Sequence, residues 1–361
     1  MRFVPPQQPA ELAPDVVDVV ALDVWMTQQG LPDGELTEVR LLTGGTQNIL
    51  MRFRRGEREY VLRRPPRHLR PRSNDNLRRE ARVLAALTGS GVAAPALVAA
   101  CDDETVMGGA AFFLMSAIDG FNATAELPPL HAADPAIRHA MGINAAAELA
   151  RLGALDHVAL GLADFGRPDG FLQRQVPRWL SELDSYVRHD GYPGPDIPGV
   201  QQVAAWLEER TPQTFTPGIL HGDFHLANLL YAPDGPAVAA IVDWEMCTIG
   251  DPLLDLGWLL ATWPGDDGAG RILASLAGAL GVVGGLPGRA ELIDAYAAGS
   301  TRDVAAIRWY AVLACFKLGI VLEGTFARAC AGKTDRALGE RFRIITRALF
   351  DRAQSYMEES W

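Results

Sequence analysis

Polar and apolar positions alternate along the first third of the chain and then recur at three- and four-residue spacing. Residues 15–29 carry Val16, Val19, Val20 and an apolar run from Leu22 to Met26 before Gly30, which predicts an amphipathic opening helix. Apolar runs at 39–42 and 49–53 flank the Gly-rich stretch Thr43, Gly44, Gly45, Thr46, Gln47, Asn48, a hairpin pattern. Residues 59–63 predict a third strand, ended by Pro65 and Pro66. Residues 74–87 place Leu77, Ala81, Leu84 and Leu87 on one helical face. Short strands are expected around 92–100, and 110–118 reads as a continuous apolar strand buried on both faces.

After Gly120 the composition turns to Ala-rich helical segments, which puts a lobe boundary near 116–120. Asp134 and Pro135 have the order of a cap and a first helical position, opening a helix to about residue 155. Further helices are expected at 173–183, 200–210, 253–263, 271–280, 289–298, 304–329 and 335–358. The fold class is α+β: a small antiparallel lobe over 1–116 with a leading helix, and a larger, mainly helical lobe over 117–361.

Residues 221–245, HGDFHLANLLYAPDGPAVAAIVDWE, hold the chemistry. Strands are expected at 229–231 and 237–242, joined by the turn Pro233, Asp234, Gly235, Pro236. That hairpin returns Asp243 toward Asn228 and offers a carboxylate and an amide oxygen, hard ligands suited to Mg²⁺. Asp223 is then left to orient and deprotonate a hydroxyl, which is the division of labour of phosphoryl transfer. A single Asp before a loop ordinarily serves as a cap; three polar groups around a turn-linked strand pair are harder to obtain from capping alone. A rival set, His221, Asp223 and His225, would suit a metal hydrolase. Asp255 falls on an apolar helix, where a carboxylate needs partners, and backbone N–H of the 221–230 loop is the economical one.

Charge sharpens this picture. The 361 residues are 48% hydrophobic and 21% charged, with net charge −11. Residues 52–82 hold twelve Arg against Glu57, Glu59, Asp75 and Glu80. The acidic remainder and the scarcity of interleaved aromatics disfavour nucleic acid and favour a small polyanion such as a nucleotide. Only two lysines occur, Lys317 and Lys333, so a side-chain cation in the first two-thirds must be Arg. Arg63 is either a strand-end cation in solvent or a cleft cation paired with Glu80, itself either solvated beside Arg79 and Arg82 or the partner that holds Arg63 over phosphates. The glycines Gly44 and Gly45 are either a plain turn or a close approach of backbone N–H to phosphate. Four scattered Cys without C-x-x-C suggest free thiols in a reducing cytoplasm, and the first residues lack an apolar signal core. The apolar run 307–322 is broken by Arg308 and Lys317, which reads as a buried helix and not a membrane span.

HGDFHLANLL at 221–230 resembles the catalytic loop of the aminoglycoside phosphotransferase family, within the protein-kinase-like superfamily. IVDWEMCTIGDPLLDL at 241–256 resembles its metal-binding segment. YVLRRPP and FFLMSAIDG point to the branch associated with acyl-CoA dehydrogenases. The resemblance implies a two-lobed kinase-like fold with ATP as co-substrate and Mg²⁺. Asp223 would be the catalytic base, and Asn228 and Asp243 the metal ligands. Gly44, Gly45, Thr46 and Asn48 would cover the phosphates, and Met115, Ser116 and Ile118 would meet adenine. Glu80 would be the acid paired with Arg63, which stands where many kinases have Lys; Arg keeps the charge but is not an equivalent donor. Trp244 and Glu245 replace the Phe-Gly of protein kinases. The expected acceptor is a small hydroxyl-bearing molecule, a hydroxyacyl compound or its coenzyme thioester ahead of an aminoglycoside-like alcohol, with partners in acyl-CoA metabolism. The alternative is a nucleotide-binding module without catalysis.

Overall fold

The computed structural model describes residues 17–42, 48–265 and 268–359. The chain divides into two compact units: the described residues up to Asp119 together with Ala240–Glu245, and Gly120–Ala239 with the chain from Met246 on. The division falls three residues beyond the expected 116/117 boundary, and the segment holding Asp243 belongs with the first unit.

The first unit opens with α1 (Val19–Gln28), whose N-cap Asp18 accepts a hydrogen bond from the Ala21 amide at 2.9 Å. β1 (Leu36–Leu42), β2 (Ile49–Arg55) and β3 (Arg58–Arg64) follow as a meander, then α2 (Ser73–Leu87), β4 (Leu97–Cys101) and β5 (Phe112–Ser116). The five strands form one antiparallel sheet in the order β1-β2-β3-β5-β4. Met51, Phe53, Tyr60, Leu62, Phe112 and Leu114 pack against Leu22, Trp25 and Met26 of α1, and the edge of the Trp25 ring meets Phe112 at 4.7 Å between centroids. Strand alternation sends Arg63 to the opposite side from Leu62, where Glu80 of α2 meets it. The expected strand over 110–118 is shorter, since pairing to β3 and β4 ends at Ser116.

In the second unit come α3 (Pro129–Ala133), α4 (Pro135–Gly153), α5 (Gln175–Ser185) and α6 (Val200–Glu209). Asp134 caps α4 by accepting from the Ala136 amide, and Pro135 stands at the first helical position. β6 (Gly218–Leu220) precedes the motif, β7 (Leu229–Tyr231) pairs with β8 (Val238–Ile241), whose last two residues are counted with the first unit, and β9 (Thr248–Gly250) pairs antiparallel with β6. Then follow α7 (Leu253–Thr262), α8 (Gly268–Leu273), α9 (Gly278–Val283), α10 (Arg289–Ala298), α11 (Ile307–Cys330) and α12 (Arg336–Glu358). The single helix expected over 271–280 is broken. Gly278 takes φ +55°, and a Cβ there would come 2.0 Å from the Thr124 carbonyl oxygen, so the chain turns at this glycine to let two backbones touch.

α11 is the spine of this unit, packed by α7, α12, α5 and α6. It spans 24 residues and is apolar enough to cross a membrane by length and composition, but 89% of its most apolar window is buried inside the protein. Gly257 of α7 lets the two helices approach: a Cβ would lie 2.5 Å from the Tyr310 carbonyl oxygen. Backbone cannot yield as a flexible side chain can. Gly257→Ala is therefore expected to destabilise the protein by about 2 kcal/mol through overpacking, read as a lower urea midpoint in chemical unfolding; an unchanged midpoint would refute the tight crossing.

Candidate active site

The second unit holds the 221–228 loop between β6 and β7. Asp255, 1% exposed on α7, accepts from the backbone N–H of His221 at 2.6 Å and of Gly222 at 2.8 Å, the partners its burial required. Gly222 has φ +86°, and a Cβ would sit 2.5 Å from the Met246 carbonyl oxygen, so only glycine fits. The Asp223 amide donates to His221 Nδ1 at 3.3 Å, and the Ala227 amide donates to His225 Nδ1 at 3.2 Å. Asn228 Nδ2 donates to the Asp223 carbonyl at 2.9 Å and to Asp223 Oδ2 at 3.2 Å, and His225 Nε2 lies 3.3 Å from Oδ1. Both carboxylate oxygens of Asp223 are thus oriented. Burial alone would raise its pKa, but the hydrogen bond and charge of His225, helped by His221 and Lys317, hold it below the usual carboxylate range. Because Nδ2 of Asn228 faces Asp223, its amide oxygen points the other way.

In the first unit, Arg63 sits among three carboxylates. Its Nε is 2.9 Å from Glu80 Oε2, and its Nη2 is 2.8 Å from Asp243 Oδ1 and 3.7 Å from Glu245 Oε2. Arg63 is 6% exposed and Glu80 4%, so neither is a solvated surface charge. Burial pushes the Glu80 carboxyl up to about 7, against the pull of Arg63. For Arg63 itself burial opposes the charge, and the carboxylates outweigh it, raising its pKa. Asp243 takes φ +68°, a left-handed conformation that a non-glycine side chain adopts at a cost, and its carboxylate remains 40% exposed. A small pocket of about 50 Å³ adjoins this cluster, bounded by Asn48, Arg70, Ser73, Glu80 and Glu245.

The expected residues therefore fall into two groups. Asp223 and Asn228 come together in one unit. Arg63, Glu80 and Asp243 come together in the other, joined by Glu245 and by Asn48, whose Nδ2 is 3.5 Å from Glu245 Oε2. Gly44, Gly45 and Thr46 lie outside the described residues. Met115 and Ser116 end β5 and Ile118 follows it; the Ser116 amide is committed to the Ala96 carbonyl at 2.9 Å. The rival set of His221, Asp223 and His225 is not gathered around a common point: the Nδ1 lone pairs of both histidines face backbone N–H groups, and among the described residues no group of three His, Cys, Asp or Glu is placed to hold a metal. Lys317 was not expected here. Its Nζ reaches the Gly222 carbonyl at 3.2 Å; the one hint in the sequence is that it is one of only two lysines.

A small antiparallel unit with a buried Arg–Glu pair, and a helical unit with an oriented D-x-x-x-x-N loop, are the two parts of a kinase-like phosphotransferase fold. The profile of the phosphotransferase enzyme family (APH) matches residues 38–293, and the chain belongs to that family. A crystal structure of a candidate aminoglycoside phosphotransferase from Ralstonia eutropha superposes with TM-score 0.75 at 28% identity, covering 94% of this chain and 99% of that one. The GDP complex of wild-type aminoglycoside 2'-phosphotransferase-IIIa shares the fold, with TM-score 0.59 at 16% identity over 92% of this chain and 97% of that one. Acyl-CoA dehydrogenase family member 11 of Homo sapiens is 30% identical over 298 residues, 80% of this chain but 36% of that protein. The chain thus spans little more than a third of that relative's length.

Asp255 supplies a stability test with a definite sign. Burial pushes its carboxyl up to about 7 from an unfolded value of 3.8. Between those values the native state holds a proton that the unfolded state has released, so this contribution is complete below about pH 4 and is lost as pH rises through 7. Asp255→Asn should cost about 1–3 kcal/mol by turning an NH₂ toward backbone N–H and should flatten the fall of the urea midpoint between pH 4.5 and 7.5. A slope equal to that of the unsubstituted protein would show that Asp255 is not the group responsible.

Proposed function

We propose that the protein transfers the γ-phosphoryl group of ATP to a hydroxyl of a small molecule with Mg²⁺, and that the acceptor is an anionic hydroxyacyl compound or its coenzyme thioester. The observation that carries the reading is Asp223: an ionised carboxylate whose two oxygens are oriented by Asn228 and His225 on a loop fastened from below by Asp255. In this reading it accepts a hydrogen bond from the acceptor hydroxyl. As the acceptor oxygen bonds to the γ-phosphorus and the bond to ADP breaks, the hydroxyl proton passes to Asp223. A carboxylate with a depressed pKa is a weak base, which suits a loose transition state in which proton transfer is late and positioning supplies most of the rate.

Asn228 and Asp243 each present a hard oxygen of the kind Mg²⁺ takes, and the strained backbone of Asp243 supports a role beyond packing. Bound Mg²⁺ supplies neutralisation of phosphate charge. Arg63 is the cation fitted to the phosphates, with its Nε in ion-pair contact with Glu80.

Two features support an anionic acceptor. The positive charges that act around Asp223 include Lys317, which in turn feels Arg178; they disfavour an approaching aminosugar. The human relative is an acyl-CoA dehydrogenase family member, which fits an acceptor from acyl-CoA chemistry. Cys101, Cys247, Cys315 and Cys330 form no disulfide, and a reducing compartment such as the cytoplasm is the proposed location.

A screen of hydroxy acids, hydroxyacyl thioesters and aminoglycosides with γ-labelled ATP tests this reading. Asp223→Ala should lower transfer by about 10²–10⁴-fold while ATP still binds, and Asp243→Ala should weaken nucleotide binding with Mg²⁺ more than without it, by calorimetry. Transfer retained by Asp223→Ala would remove the assignment of the base.

A further inference from the structure

The chain contains two lysines, and one of them is spent in the interior. Lys317 lies in the middle of α11, 7% exposed. Its Nζ stands 4.4 Å from the ring centroid of Trp258 and 5.6 Å from that of Trp179, so two aromatic faces replace part of its lost hydration. It donates to one carbonyl, that of Gly222, at 3.2 Å. The peptide between Gly222 and Asp223 is therefore held at both ends, its carbonyl by Lys317 and its N–H by His221 Nδ1. The preceding two N–H groups are held by Asp255. A buried ammonium and a buried carboxylate, from α11 and α7, grip the same turn of backbone from which the Asp223 side chain projects.

We propose that Lys317 is a positioning residue for phosphoryl transfer: its ammonium, acting through the Gly222 carbonyl, fixes the peptide that aims Asp223 at the acceptor hydroxyl, and turnover is tied to the protonation of this buried lysine. The proposal rests on the reading of Asp223 as the base. A packing role alone would need no charge, since a methionine fills similar space. A buried charge without compensation is costly, and here Asp255 from α7 and Asp223 from the loop compensate it, while Arg178 from α5 opposes it.

The same surroundings give the device a working range. Burial, assisted by Arg178, brings the Lys317 pKa down to about 8 against the pull of Asp223 and Asp255. Below that value the ammonium grips the carbonyl and balances the charge of Asp223. Above it the charge is gone, and Asp223 loses its fixed aim. The rate therefore falls on the alkaline side.

The test is the steady-state turnover of Mg·ATP with water as acceptor, measured from pH 6 to 10 on the full chain and on Lys317→Met and Lys317→Arg. Lys317→Met should lose about 100-fold in kcat, the scale of a misplaced catalytic group, with the KM for ATP unchanged within about twofold. Lys317→Arg should restore kcat to within about tenfold and carry the alkaline limb, near pH 8 in the unsubstituted protein, beyond the range measured, because guanidinium keeps its proton. A methionine variant with undiminished kcat, or an arginine variant with the same alkaline limb, overturns the proposal. If Lys317→Met does not fold, the pH profile of Lys317→Arg decides alone. An unsubstituted chain that turns over no ATP would overturn the reading of Asp223 as well, an outcome distinct from either failure of Lys317.

Discussion

Burying a charge is among the most expensive things a protein does, and in this chain each buried charge of the candidate site is matched by hydrogen-bond donors or by an opposite charge. Asp255 is the clearest case. A carboxylate at the heart of a helical unit would be intolerable alone, yet two consecutive backbone N–H groups of the 221–223 loop are turned to it. The loop gains as much as the acid. A segment without helix or strand pairing has few ways to satisfy its amides, and here the satisfaction comes from a rigid helix. The backbone bearing Asp223 is thereby as well fixed as an element of secondary structure, which is what positioning chemistry demands.

The fold was legible where a local signal marked it. The apolar face of α2 and the Asp134–Pro135 start of α4 place those helices within a few residues of their observed bounds, and the strands of the meander also lie close to expectation. Legibility failed where a tertiary contact decided. β6 and β9 are three residues each, too short for alternation to register. The break between α8 and α9 arises from the close approach of Gly278 to Thr124, and Gly278 carries no local mark that separates it from the other glycines nearby.

Candidate site residues divide in the same way. Asp223, Asn228 and Asp243 stood out because polar groups around a short hairpin have no ordinary packing role. Asp255 stood out because an acid amid Leu and Trp needs a reason. Lys317 gave no comparable signal: a charged residue inside an apolar run reads as an interruption, and only the structure shows that the interruption faces Gly222. The left-handed backbone of Asp243 was equally hidden, since Asp tolerates that conformation more readily than most residues and so betrays nothing by its identity.

The two cations are not interchangeable, and the structure explains each choice. Arg63 engages Glu80 through Nε and Asp243 and Glu245 through Nη2. A planar fork can meet carboxylates on different sides at once while keeping its charge at any accessible pH. A lysine there would offer one compact ammonium that could not span the same partners. At 317 the demand is reversed: one carbonyl, two aromatic faces and no adjoining carboxylate in ion-pair contact. A slim, single-point donor fits that slot, and its charge can be withdrawn at a pH within reach. In a chain with only two lysines, a lysine at this point places a titratable cation against the loop that carries Asp223.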